Sequence, residues 1–259
     1  MKKLISILLT VVILCSCVSV FSSCKEEEEV TEPMGEGACE YLETRDITGR
    51  NIKYVEMCVS GFGRVVILLD ATTAPITVNN FISLVKKGFY DGLTFHRIIK
   101  NFMIQGGDPN GNGTGAHLDK DGNELNIEGE FESNGHYNDI SHLYGVISMA
   151  REGDNGYNNH GYNTASCQFF ICNDEASSSL DGDYAAFGYV VQGMSVIDAI
   201  TEECFPKTYL SEFWGDYSID PYYGTYKHNL WAYYGNGAFE HKEDQPVIKY
   251  IKVLDNWSK

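Results

Sequence analysis

Phe95-His96-Arg97-Ile98-Ile99, a polar break at Lys100-Asn101, then Phe102-Met103-Ile104-Gln105-Gly106-Gly107-Asp108-Pro109 form the stretch that decides the fold. Two short apolar runs, 94–99 and 103–105, read as strands. Toward the N-terminus, 54–59 alternates loosely, Ser60-Gly61-Phe62-Gly63 supplies a turn, and 64–69 is a β-branched apolar run. Together these read as a hairpin. Pro75 opens a helix where its missing N–H is harmless. Val78, Phe81, Ile82 and Val85 recur at helical spacing, and Gly88 ends the helix behind Lys86 and Lys87. Toward the C-terminus, short strands are expected at 145–149, 168–172 and 186–191, a second helix at 193–200, and a closing strand at 247–254. Many short strands with two helices predict an all-β fold: a closed barrel plugged or capped by helices.

Composition agrees with a folded domain. The 259 residues are 43% hydrophobic and 21% charged, enough apolar side chain for a core, which excludes wholesale disorder. The 36 acidic against 19 basic side chains leave a net charge of -17. Such a surface repels phosphate, so nucleic acid is not an expected partner. Twenty-six glycines against six prolines point to many tight turns.

Further blocks follow the opening stretch in order: Gly113-Thr114-Gly115, Gly145-Val146-Ile147-Ser148-Met149-Ala150, Ala165-Ser166-Cys167-Gln168-Phe169-Phe170-Ile171, Leu180-Asp181-Gly182 and Phe187-Gly188. The series resembles the cyclophilins, the cyclophilin-type peptidyl-prolyl cis/trans isomerases, from about Tyr54 to Ile200, and again at Gln245-Pro246-Val247-Ile248. The resemblance implies an eight-stranded antiparallel closed barrel with two helices, activity on Pro-containing polypeptides, a monomer, and no cofactor or metal.

The residues suit that chemistry. A prolyl amide resists rotation by about 18–20 kcal/mol because its nitrogen lone pair is delocalised. A catalyst need only favour the twisted amide over both planar forms, with no covalent intermediate. In the twist the nitrogen accepts hydrogen bonds, and a guanidinium offers several donors at fixed charge. Arg97, in its Phe-His-Arg setting, matches the family's catalytic arginine, with Phe102 and Gln105 beside it. Phe102, Met103, Phe170, Leu180 and Tyr184 match the walls of the proline pocket, and Gln105 and Gln168 match groups that position Arg97 and the substrate backbone. Ala150 and Arg151 match an edge where main-chain groups bond the peptide, although Asn is frequent at the second position. Proton transfer is not needed, so His96 is read as a structural, hydrogen-bonded residue. No Ser/His/Asp or Cys/His constellation gathers comparable support. Ser179 stands where eukaryotic members carry Trp, which argues against tight cyclosporin binding.

The N-terminus reads as an export signal. Met1-Lys2-Lys3 precedes an apolar run, 4–14, too short for a membrane span. Phe21-Ser22-Ser23-Cys24 resembles a bacterial lipoprotein signal, and Lys25-Glu26-Glu27-Glu28-Glu29 resembles the surface-export signal of Bacteroidetes-type lipoproteins. The expected organisation is a signal peptide at 1–23, lipidation at Cys24 with Cys17 as competitor, a flexible acidic tether at 24–48, and the isomerase domain at 49–259. The chain is thus expected in the cell envelope, held to the outer membrane by lipid. Cysteines 39, 58, 167, 172 and 204 then remain, an odd count, and no CxxC or CxxH supports a metal site.

Asp108 to Asp119 imitates the start of an EF-hand loop, but lacks the Glu at the twelfth position and flanking helices. The loop 152–163 is rich in Asn, Gly and Tyr and is expected at the groove. An insertion at about 205–240 holds Trp214, Trp231 and tyrosines 209, 217, 222, 223, 226, 233 and 234. Packing onto the barrel is the reading preferred there over a glycan- or partner-binding surface. Weak turnover by a Pro-peptide binding module is the other alternative to the enzyme.

Overall fold

The computed structural model describes residues 32–153, 160–204, 237–239, 242–255 and 257. Eight strands form one antiparallel sheet among these residues: β1 (Ile52–Val59), β2 (Gly63–Asp70), β3 (Thr94–Ile99), β4 (Met103–Asp108), β5 (Val146–Met149), β6 (Phe169–Cys172), β7 (Ala186–Gln192) and β8 (Ile248–Leu254). Three α-helices accompany them among the described residues: α1 (Pro75–Lys86), the single turn α2 (Ser177–Leu180) and α3 (Met194–Glu203). The hairpin β1–β2 pairs Ile52 with Asp70 through to Val59 with Gly63.

The strand order is β3-β4-β6-β5-β7-β2-β1-β8. This corrects the closed barrel: the ladder is an open, curled sheet with β3 and β8 at its ends. Its two edges meet at one bridge, Thr94 opposite Val247. Phe95 N–H donates to Pro246 O at 2.9 Å and Ile248 N–H to Leu93 O at 2.8 Å. The edges diverge beyond the bridge, so no continuous β3–β8 ladder forms.

The core lies between the concave face and the helices. From α1, Val78, Phe81, Leu84 and Val85 are buried, and from α3, Met194, Val196, Ile197 and Ile200. The Phe81 ring lies 5.0–5.5 Å from those of Tyr90, Phe169 and Phe187, within range for aromatic packing. Ala74 offers α1 no side-chain cap. Buried Glu130 supplies one from afar, accepting from Ile76 N–H at 2.9 Å and Thr77 N–H at 2.8 Å.

The described part of the expected tether, 32–48, is packed rather than loose. Gly35 N–H donates to Arg64 O, Arg64 N–H to Pro33 O, and Cys39 N–H to Val190 O, at 2.7–3.0 Å. Cys39 is buried, in a second apolar cluster with Val66, Leu68, Val146 and Tyr189. Arg45 pairs with Asp139 at 2.5 Å, and Arg50 Nε lies 2.8 Å from Asp70 Oδ2. The composition of this strap is polar, but its few apolar side chains find an uncovered face of the sheet.

Candidate active site

Arg97 and Gln105 are register partners on β3 and β4, and Gln105 in turn faces Phe170 on β6. Alternation along strands sends partnered residues to the same face. The three therefore meet although they lie up to 73 positions apart in the sequence. Arg97 Nη1 donates to Gln105 Oε1 at 3.1 Å. Gln105 Nε2 donates to Gln168 Oε1 at 2.9 Å, and Gln168 Nε2 to the carbonyls of Gly115 at 2.9 Å and Gly113 at 3.2 Å. This relay of amides anchors the guanidinium to the glycine loop. Burial pulls the Arg97 pKa below its ordinary value, against an opposing influence of Tyr184. A guanidinium nonetheless stays charged at physiological pH.

Beside this relay lies a third apolar cluster. Ile99, Met103, Phe170, Cys172, Ala176 and Leu180 are buried, with Phe102, Ala150 and Tyr184 packed against them. The expected pocket residues are thus gathered in one place. The rings of Phe170 and Tyr184 meet edge to face, 5.8 Å apart.

At the rim, Ala150 N–H is bonded to Gln168 O at 3.0 Å. The N–H of Ala150 is therefore already engaged within the sheet. The Arg151 side chain has a part of its own. Its Nε donates to Asp183 O and its Nη1 to Glu152 O and His160 O, all at 2.8 Å. Its guanidinium lies 4.6 Å from the Tyr184 ring centre and within 5.4 Å of those of Phe131 and Tyr162. That distance permits cation–π attraction, so Arg151 ties the loop after β5 to Tyr184.

One expectation is corrected. His96 is buried, but neither ring nitrogen has a hydrogen-bond partner among the described residues. Burial lowers its pKa to about 4, so it is a neutral packing residue. A Ser/His/Asp arrangement also exists: His142 Nδ1 lies 2.8 Å from Asp181 Oδ1, and its Nε2 lies 2.9 Å from Ser148 Oγ. Ser148 and His142 are 0% and 1% exposed, so no substrate carbonyl reaches that hydroxyl. The group is internal support, unlike a nucleophilic triad. Ser148 and Asp181 stood within quoted blocks, but no motif marked His142 as their link.

Asp108 is taken up by its own loop, accepting from the N–H groups of Asn110, Asn112 and Gly113. Among the described residues no group of three or more His, Cys, Asp or Glu side chains is placed to hold a metal ion. Cys24, Cys17 and most of the aromatic insertion lie outside the described residues. Its final portion, Gly237 to Phe239, is described and pairs with β3.

Comparison with known proteins now decides the family. Residues 54–210 match the model of the cyclophilin type peptidyl-prolyl cis-trans isomerase/CLD family. The chain belongs to that family. A peptidyl-prolyl cis-trans isomerase of Schizosaccharomyces pombe is 40% identical over 138 residues, 53% of this chain and 78% of that protein. One from Helicobacter pylori is 37% identical over 142 residues, 54% of this chain and 76% of that protein. The fold is similar to that of a cyclophilin type peptidyl-prolyl cis-trans isomerase of Cryptosporidium parvum, with TM-score 0.56 and 24% identity. That match covers 79% of this chain and 99% of the other. The same protein solved in the presence of the dipeptide Ala-Pro matches with TM-score 0.54. The blocks named from the sequence contain the residues that the fold gathers beside Arg97.

Proposed function

We propose that this cyclophilin rotates X-Pro bonds in exported polypeptides, with Arg97 hydrogen-bonding the prolyl nitrogen as the amide twists. The observation that carries the reading is the relay Arg97–Gln105–Gln168 beside the Met103, Phe170, Leu180 and Tyr184 cluster. The apolar side chains grip the pyrrolidine ring while the preceding residue turns. The relay holds the guanidinium where the lone pair re-forms, and no bond in the substrate breaks. A thousandfold acceleration requires about 4 kcal/mol. One charge-assisted hydrogen bond contributes about 1.5–3 kcal/mol, so orientation of the peptide in the groove supplies the remainder.

Export and anchoring belong to the same proposal. The segment ending at Cys24, followed by the acidic run, supports a lipid-held chain in the cell envelope. Its clients would be proteins that fold after crossing the inner membrane.

The test is an X-Pro tetrapeptide isomerisation assay on the native chain and on Arg97→Ala. The variant is expected to retain its cooperative melt and lose at least a hundredfold in kcat/KM. Equal activity in the two proteins would refute the role of Arg97. Mass spectrometry of the mature N-terminus tests the anchor, through the mass of an acylated Cys24.

A further inference from the structure

β3 carries Arg97, and it is an end strand of the ladder. An end strand holds its backbone on one side only and leaves a row of unpaired N–H and C=O groups on the other. The inner side of β3 is itself irregular. Its register with β4 shifts between Thr94 and Phe95 and again between Phe95 and Arg97, so His96 has no direct partner on β4. Such a bulge aims side chains but loosens the ladder locally. Left so, the backbone beneath Arg97 would be fixed poorly for a group that must meet a nitrogen atom.

The outer side is not left open. Ala238 forms an antiparallel bridge opposite Arg97. Ile98 N–H donates to Gly237 O at 2.8 Å, and Phe239 N–H donates to His96 O at 3.3 Å. These two bonds flank Arg97 on either side along the strand. The other cover on this edge, around Val247, reaches Thr94 and Phe95 but stops short of Arg97. Gly237 is required for so close an approach. It has φ +74, and a Cβ there would lie 2.5 Å from Ile99 Cγ1 and 2.6 Å from Ile98 O. Phe239 anchors the segment by packing its ring against the main core.

We propose that Gly237–Ala238–Phe239 is a positioning strand for Arg97, clamping β3 from the edge opposite β4 so that the guanidinium is held in its reactive direction. The proposal rests on Arg97 being the group that meets the prolyl nitrogen. It assigns a part in the reaction to the end of a segment outside the family's ordered blocks. Displacing a catalytic group by about 1 Å can reduce a rate a hundredfold. Loss of the clamp therefore lowers kcat, while the apolar pocket and hence KM are left nearly intact.

The experiment uses the full chain and compares Phe239→Pro with Phe239→Ala. Both remove the ring, but only proline removes the N–H that bonds His96 O. The expected result is a kcat at least tenfold lower in Phe239→Pro than in Phe239→Ala, with KM within twofold and both melting cooperatively. Equal kcat in the two would overturn the proposal. Gly237→Ala, which forces the segment off the strand from its other end, is expected to show the same kcat loss with unchanged KM. Amide exchange gives a readout separate from turnover. In the native chain the Ile98 amide proton is expected to exchange slowly, and in Gly237→Ala at least a hundredfold faster. Rapid exchange of Ile98 in the native chain would refute the clamp even if neither variant folded. If Arg97→Ala proves fully active while Ile98 is protected, the catalytic reading fails and the clamp is reduced to a structural contact.

Discussion

The imidazole of His142 stacks on the ring of Phe170, with centroids 5.9 Å apart and planes 18° from parallel. The same imidazole meets Tyr184 edge-on at 6.5 Å. Two rings of the apolar cluster proposed to grip proline thus rest on one buried side chain, itself held by Asp181 and Ser148. His142→Ala leaves the Ser148 hydroxyl buried without that partner and removes the support of both rings. A stability loss of about 2–4 kcal/mol is expected from the cavity and the unmet polar group, together with a several-fold rise in KM. His142→Phe keeps the stack and is expected to recover most of the KM but not the stability. Urea midpoints and steady-state kinetics on the two variants check this; equal KM for both would show that the ring does not support the pocket.

Gln105→Leu preserves volume on β4 but removes the acceptor for Arg97 and the donor to Gln168. The guanidinium then keeps its charge and loses its orientation. A fall in kcat of roughly tenfold, equivalent to about 1.4 kcal/mol, is expected, with little change in melting temperature. An isomerase assay with parallel calorimetry reads both quantities.

His96 makes stability depend on pH. Burial lowers its folded-state pKa to about 4, with Asp108 opposing and Arg97 reinforcing the effect. The ordinary value, which the unfolded chain keeps, is 6.5. Between these values the unfolded state binds the proton and the folded state does not. This contribution is therefore complete above pH 6.5 and is lost as pH falls toward 4, amounting to about 3 kcal/mol. Asp181 acts lower on the scale. Burial opposes its charge, but hydrogen bonds from the His142 side chain and backbone hold its pKa below 3.8, so its contribution fades only below that pH. Urea titrations at pH 7.5 and 4.5 are expected to differ in the native chain and to differ less in His96→Leu, where His117 and Glu56 still contribute.

Glu130→Ala strips both acceptors from the first turn of α1. Two N–H groups, that of Thr77 buried, lose their partner, and the helix loses a negative charge at its positive end. A destabilisation of about 1–3 kcal/mol is expected from chemical denaturation. Activity per folded molecule should not change, because α1 packs on the core side of the sheet.

Gly188 lies where β7 crosses β2. A Cβ there would stand 2.1 Å from Leu68 O, so Gly188→Ala must open the ladder between these strands. Roughly 2–4 kcal/mol of stability is expected to be lost, seen as a lower urea midpoint with an unchanged m-value.

The strand and helix assignments were legible because each rests on local signals. The runs at 54–59 and 64–69 became β1 and β2, Pro75 opened α1, and the run at 94–99 became β3. The single turn α2 escaped notice, since Ser177-Ser178-Ser179 carries no apolar period and few helix-forming residues. The strap before β1 is packed although its composition suggests loose chain, for a related reason. Its polar composition hides the fact that Cys39 and the two arginines find partners on β2, β7 and the Asp139 loop.

The site divides in the same way. The order and identity of the blocks containing Arg97, Gln105, Gln168, Phe170 and Leu180 determined the family, because it follows from which residue types stand at which spacing. Tertiary structure alone decided that the sheet curls without closing, that His142 joins Ser148 to Asp181, and that Gly237 to Phe239 return to the strand of Arg97. Each of these depends on contacts between segments from six to well over a hundred positions apart. Such contacts arise from the twist of the sheet and the packing of its faces, and local residue pattern carries no trace of either.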